Sequence, residues 1–287
     1  MSLKNPGKLR VREETLAVLP EGSSPVRVLH LSDIHMAPWR TAAAEWIQNL
    51  SNLGPDVIVG TGDFLGHENG LALLKKALSP FAGLPGVVVH GSNDRTAPIY
   101  RNPLSYLRKN PRLTYKKSLT PLDFDGLLEL YESLGWNDVE NKALRMSLSG
   151  TEIEWIGLGD AHHNMDDLVT TSMDVKQSRT RETVTDDSQI TSLGLTHAPY
   201  QRVLNYLMSW GCKTIFSGHT HGGQICLPGG RALVTNCDLP AKMASGVNNW
   251  NHKGNSSLIQ VSSGIGTGIY SPLRVFCPPE AILINLI

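Results

Sequence analysis

The feature that most constrains this chain is a series of short apolar, β-branched runs, most of them closed by Gly or Asp. They are "VRVLHLSD", "DVIVGTGD", "GVVVHGSND", "EIEWIGLGD", "SLGLTHAP" and "KTIFSGHTHGG". Continuous runs of this kind belong to strands buried on both faces, as in α/β proteins. Helix-like stretches lie between them. "TAAAEWIQNLSNL" opens at Thr41, a threonine suited to an N-cap, and "NGLALLKKALSPF" from Asn69 ends before Gly83 and Pro85. "PYQRVLNYLMSWG" begins at Pro199 and stops at Gly211, the usual proline-in, glycine-out punctuation of a helix. The alternation in the first third predicts parallel strands joined by right-handed crossovers. In the last third "GGQICLPGGRALVT", "SSLIQVSSGIG" and "EAILINLI" carry closely spaced turn signals, which predict antiparallel strands.

No linker, repeat or low-complexity tract divides the 287 residues, so residues 25–287 are read as one domain behind an N-terminal extension, 1–24. Ser172 to Ile190, the most polar and least periodic part, reads as a mobile loop or a solvated helix. An apolar share of 40% and a charged share of 18% exclude disordered and fibrous classes. Lys+Arg and Asp+Glu are both 26, which argues against nucleic acid as a partner but leaves an anionic small molecule open. The four cysteines are well separated and form no C-x-x-C pair, so they read as small buried apolar residues. Neither a membrane-spanning run nor a signal peptide is visible, and the expected location is cytoplasmic. The opening Met-Ser-Leu resembles an expression scar; an anchor lost upstream would make the protein membrane-associated instead.

The ends of the runs carry a biased set of side chains. "SDIH" gives Asp33 and His35, "GTGD" gives Asp63, "GSND" gives Ser92, Asn93 and Asp94, "THAP" gives His197, and "GHTH" gives His219 and His221. Ligands of open α/β sheets sit beyond the carboxyl ends of the strands, so the topology would gather these residues at one edge. Carboxylates with imidazoles suit Mn, Fe or Zn, and there are too many here for one ion. An Asp after a strand is by itself most often a turn residue. Seven ligand-type residues in one place make that bland account remote, and the glycines flanking His219 and His221 exclude a packing role for those rings.

In this order, "DIH", "GD", "GSND", "TH" and "GHTH" resemble the calcineurin-like metallophosphoesterases, over about Asp33 to His221. "GHTHGGQ" and the closing "RVFCPPEAILINL" are most similar to a bacterial, often membrane-associated phosphohydrolase subgroup. The resemblance implies a four-layer αββα sandwich of two mixed sheets and a dinuclear divalent centre that activates water for in-line attack on phosphorus. It also implies a partition of ligands. Asp33, His35 and His221 would hold one ion, Asp63 would bridge, and Asn93, His197 and His219 would hold the other. His35 and Asn93 thereby count among the catalytic residues.

"GSND" departs from the family pattern, because its usual histidine is missing. Asn93 is expected to remain a ligand, with Asp94 of raised pKa, His162 or water left to protonate the leaving group. His162 and Arg95 are expected to touch substrate; Asp160 or the carbonyls of the Gly-rich turn would accept from a metal-held imidazole. The glycines of "SSGIGTG", Gly264, Gly266 and Gly268, read as a loop near the site, and the tryptophans, Trp39 among them, as packing residues. The basic stretch from Arg101 to Lys117 reads as a solvated helix face, or as a contact for a second phosphate or an anionic lipid surface. The expected substrate is a small phosphoester, phospholipid or nucleotide, with peripheral membrane contact as a corollary. Two rival functions are a metal-binding regulatory protein with little turnover, motivated by "GSND", and a nuclease, disfavoured by the balanced charge.

Overall fold

Each apolar run feeds two layers at once, because successive side chains of a strand point to opposite faces of the sheet. In the computed structural model, which describes residues 9–98, 120–181 and 190–287, two six-stranded sheets result. The first has the order β1 (Arg10–Leu16), β14 (Glu280–Leu286), β2 (Val26–Leu31), β3 (Val57–Thr61), β4 (Gly86–Val89) and β5 (Trp136–Asp138). The second has the order β12 (Gly246–His252), β13 (Asn255–Val261), β9 (Thr214–Ser217), β8 (Thr191–Thr196), β7 (Thr151–Leu158) and β6 (Lys142–Leu148). Strands β2 to β5 are parallel, as are β7, β8, β9 and β13.

Val28, Val59 and Val89 of the first sheet meet Trp155, Leu195 and Phe216 of the second in one buried layer. Leu29, Ile58 and Val88 turn the other way, under α1 (Thr41–Asn49), α2 (Leu71–Leu78) and α4 (Phe124–Leu134). On the far face of the second sheet Ile156, Ile215 and Ile259 pack against α6 (Gln201–Ser209) and against Val175 of α5 (Leu168–Arg181). The fold is therefore a four-layer α/β sandwich. Between β4 and α4 lies a single helical turn, α3 (Ser92–Arg95).

Several local expectations change. Arg40, not Thr41, occupies the N-cap of α1, and it makes no side-chain cap bond. Trp39 is 61% exposed rather than packed. In the last third β12 and β13 are antiparallel, as are β10 (Cys226–Leu227) and β11 (Arg231–Ala232), but β13 runs parallel to β9. The stretch 1–24 is not wholly an extension. Arg10–Leu16 pairs along its length with β14, and Arg10 and Arg12 form ion pairs with the buried Glu280. Its charges are those of an edge strand, half-exposed and protected from further pairing, which disguised it. The described part of Ser172–Ile190 continues α5, tied down by Arg179 on the buried Glu154. Residues 182–189 and the basic stretch 101–117 lie outside the described residues.

Because Trp155 is fully buried between the sheets, Trp155→Ala is expected to cost about 3–5 kcal/mol. Urea unfolding should show this as a lower midpoint at unchanged slope.

Candidate metal centre

Parallel strands point their carboxyl ends the same way, and here those ends carry the chemistry. Asp33 and His35 follow β2, Asp63 follows β3, Asn93 lies in α3 after β4, His197 follows β8, and His219 and His221 follow β9. Five of these residues have left-handed backbone: Asp33 (φ 48°), His35 (46°), Asp63 (55°), His219 (66°) and His221 (48°). Each such conformation costs a non-glycine residue about 1–3 kcal/mol, and such strain collects at functional sites. It turns the side chains back across the sheet ends toward one another. Close packing holds them there: a Cβ on Gly91 would fall 2.2 Å from Asp63 Oδ1, and one on Gly218 would fall 2.4 Å from Asp33 Oδ2.

Two ligand groups result, Asp33 with His35 and His221, and Asp33 with Asp63 and His197, each with its donor atoms within 4.8 Å of one another. In the first group, His221 Nε2 is 3.6 Å from Asp33 Oδ1 and 3.3 Å from His35 Nε2. Asp33 is common to both groups, and Asp63 Oδ2 of the second, 3.5 Å from His197 Nε2, also comes within 3.6 Å of His35 Nε2 of the first. The same oxygen accepts the Asn93 side-chain amide at 2.7 Å, while the Asn93 backbone N–H donates to Asp63 Oδ1 at 2.8 Å. His219 stands outside both tight groups. Its ring lies 5.2 Å from that of His197, its backbone N–H donates to both Asp33 oxygens, and its Nε2 faces the Asn236 carbonyl at 3.3 Å.

The electrostatics fit a cation. Burial lifts Asp33, and it lifts Asp63 to about 7, with the neighbouring charges of Asp33 and Asp94 adding to the rise at Asp63. Burial depresses His35, His219 and His221, aided by other cationic neighbours, so these imidazoles are neutral and offer lone pairs. His197 behaves differently. Burial alone would lower it, but Asp63, Asp160 and Asp33 together raise it to about 9. Its Nδ1–H donates to the Thr61 carbonyl at 2.7 Å, and its buried Nε2 has no hydrogen-bond partner. An orphaned imidazole nitrogen aimed at a buried carboxylate is a position that a divalent cation fits.

Two expected roles do not hold. Asp94 is fully buried, and its oxygens accept the backbone N–H groups of Asp63, Phe64, Leu65 and Gly91. With both oxygens engaged it clamps the Asp63 loop and has no face toward a leaving group. Arg95 is also committed. Its guanidinium holds both oxygens of Glu140 at 3.0 Å and covers the Phe124 ring at 3.9 Å, so it is not presented to substrate. His162 does reach the edge of the site, with its ring 4.6 Å from that of His219 and its Nδ1 sharing a 2.8 Å hydrogen bond with the Tyr200 hydroxyl. Asp160 accepts from the backbone of His162 and the ring of His163. Burial opposes its charge, but the His163 bond and the charges of His197 and His219 hold it below the usual carboxylate range.

Sequence reasoning overlooked two arginines. Arg274 donates to the carbonyls of His221, Gly264 and Gly266, and Arg40 donates to those of Ile34 and Thr267. Both bind the loops that carry the ligands. Arg274 lies in the quoted "RVFCPPEAILINL", but nothing in its spacing singles it out. The "SSGIGTG" loop is where it was expected: Ile265 and Gly266 donate to the carbonyls of Ser32 and Asp33.

The calcineurin-like phosphoesterase family model matches residues 26–223, from the start of β2 through the His221 turn. The chain belongs to this family. It is a metallophosphoesterase, a hydrolase of the family whose members use divalent metal ions. Phosphodiesterase YaeI of Escherichia coli is 23% identical, over 98% of this chain and 90% of its own. The uncharacterized metallophosphoesterase YkuE of Bacillus subtilis is 24% identical, over 98% and 86% respectively. UDP-2,3-diacylglucosamine pyrophosphatase LpxG of Chlamydia muridarum is 24% identical, over 91% and 83%.

The raised pKa of His197 gives a pH prediction for this metallophosphoesterase. In chelator-treated protein its bound proton stabilises the fold fully below pH 6.5, and that contribution is lost as pH rises toward 9. Above pH 7 Asp63 is ionised in the folded and unfolded chain alike, so it adds no further pH dependence there. The chelated protein should therefore lose thermal stability between pH 7 and 9, and saturating Mn should remove that loss. A chelated protein with a flat profile there would contradict the assignment.

Proposed function

We propose that the chain is a dinuclear hydrolase of small phosphoesters, and that Asp63 bridges its two ions. The observation that carries this is Asp63 Oδ2 placed between His35 Nε2 and the orphaned His197 Nε2. Asp33, His35 and His221 would hold one cation, and Asp63, His197, His219 and Asn93 the other. When bound, two divalent ions such as Mn, Fe or Zn supply acidification of water and polarisation of the phosphoryl oxygens. The chain's own part is positional. Asp94 fixes the Asp63 loop through three of its backbone amides, and Thr61 fixes the tautomer of His197. Asn93 turns its NH₂ toward Asp63; a half-turn of the amide would present its oxygen to a cation.

With Asp94 consumed and the family's histidine absent, His162, its ring 4.6 Å from that of His219, is the group we assign to the leaving side. A substrate whose leaving group is already acidic needs least help from it, which favours pyrophosphates and aryl esters over alkyl esters. A relative named a pyrophosphatase agrees with that preference. Nucleotides and phospholipid head groups are the classes we would test first, and nucleic acid the last, given zero net charge.

Turnover of bis-p-nitrophenyl phosphate and p-nitrophenyl phosphate should be measured after chelation and again with Mn, Fe or Zn restored. The proposal predicts loss on chelation and recovery with metal. Asp63→Asn should lower kcat/KM by more than about a hundredfold. No turnover of either ester at full metal occupancy would leave the regulatory, metal-binding reading in its place.

A further inference from the structure

The metal site has a rim unlike the rest of the surface. It is built from two segments stitched together, the turn and hairpin that follow His221 and the stretch that contains Arg274. Ile225 bridges to Val275, the Cys226 N–H donates to the Val275 carbonyl, and Val275 donates back to Gln224. The Gln224 side chain closes the join with hydrogen bonds to the carbonyls of Ser271 and Leu273. These bonds tie the two segments together, so the rim is a built surface.

Its outward side chains are apolar. Leu273 is 61% exposed and Phe276 is 60% exposed, and Ile225, Leu227, Leu233 and Tyr270 are exposed beside them. They account for six of the eleven large hydrophobic side chains exposed among the described residues. Contiguous exposed apolar surface at one place marks an interaction site. Charge indicates the partner. Neither 218–235 nor 262–279 contains an Asp or Glu, in a chain with 26 of them, and the two charged residues present are Arg231 and Arg274. Arg231 sits exposed on the hairpin opposite Leu227. Leucine and phenylalanine at a loop crest, a tyrosine with an apolar ring and polar tip, a cation and no acid together form an interfacial membrane contact.

We propose that this rim docks the protein on an anionic lipid bilayer, with Leu273 and Phe276 entering the headgroup region and Arg231 facing the phosphates. Arg274, behind the rim, donates to the His221 carbonyl, so docking would bring the ligand turn of the metal site to the membrane surface. A protein held this way takes phosphoesters that are themselves lipids.

The test uses the full chain in vesicle co-sedimentation, with phosphatidylcholine alone and with about a third phosphatidylglycerol. The expected result is capture by the anionic vesicles that weakens as salt screens the surface. Leu273→Asp combined with Phe276→Asp should weaken it by about tenfold or more, and Arg231→Glu by a smaller factor. Near-UV circular dichroism shows whether the variants are folded, and turnover of soluble bis-p-nitrophenyl phosphate should stay within about twofold of the parent. Sedimentation velocity tests the other occupant, a second copy of the chain. The proposal is overturned if anionic vesicles capture no protein, if the double variant binds as the parent does, or if the rim mediates only self-association. Vesicle binding needs no turnover, so it can fail while the hydrolase reading stands, and the reverse also holds.

Discussion

Two carboxylates buried within reach of each other are the constraint on which the rest of this molecule depends. Asp33 and Asp63 are almost wholly removed from water at the ends of adjacent parallel strands. Without a cation both are pushed toward protonation, and His197 is pushed to hold a proton between them and Asp160. Burying unpaired charge is among the most expensive things a fold does. Left-handed backbone at five neighbouring positions adds to that cost. Such an arrangement persists because the surrounding sheets over-determine it, and it becomes favourable when positive charge enters.

The supporting structure follows from that need. Hydrogen bonds lead away from the site into the body of the protein. Ser32 donates to Asp33, Thr61 donates to Ser32, and His30 meets Thr61, while the Thr61 carbonyl holds His197. One β3 residue thus orients a donor for each ligand group. Asp94 does the same for the Asp63 loop through three amides, and the arginines at 40 and 274 tie down loops from the other side. Rigid strands and these bonds, rather than the ligands themselves, set the site's dimensions.

The parts of this that could be read from the chain alone were those written in residue type and order. Continuous valine-rich runs announced strands buried on both faces, and the aspartates and histidines at their ends announced a shared edge. What stayed hidden depends on direction in space. Asp94 looks like a catalytic acid in "GSND" until its oxygens are seen to face four backbone amides. Arg95 follows the motif yet turns to Glu140 and Phe124. β1 carries an edge strand's charges and was passed over, and Arg274 lies 53 residues from the histidine it supports. No spacing rule reaches that far.

The most direct test of the account is anomalous scattering from crystals grown with Mn and collected at its absorption edge. The account predicts two peaks, one among Asp33, His35 and His221 and the other beside His197, with Asp63 reaching both. A single peak, or two peaks that Asp63 does not join, would contradict it.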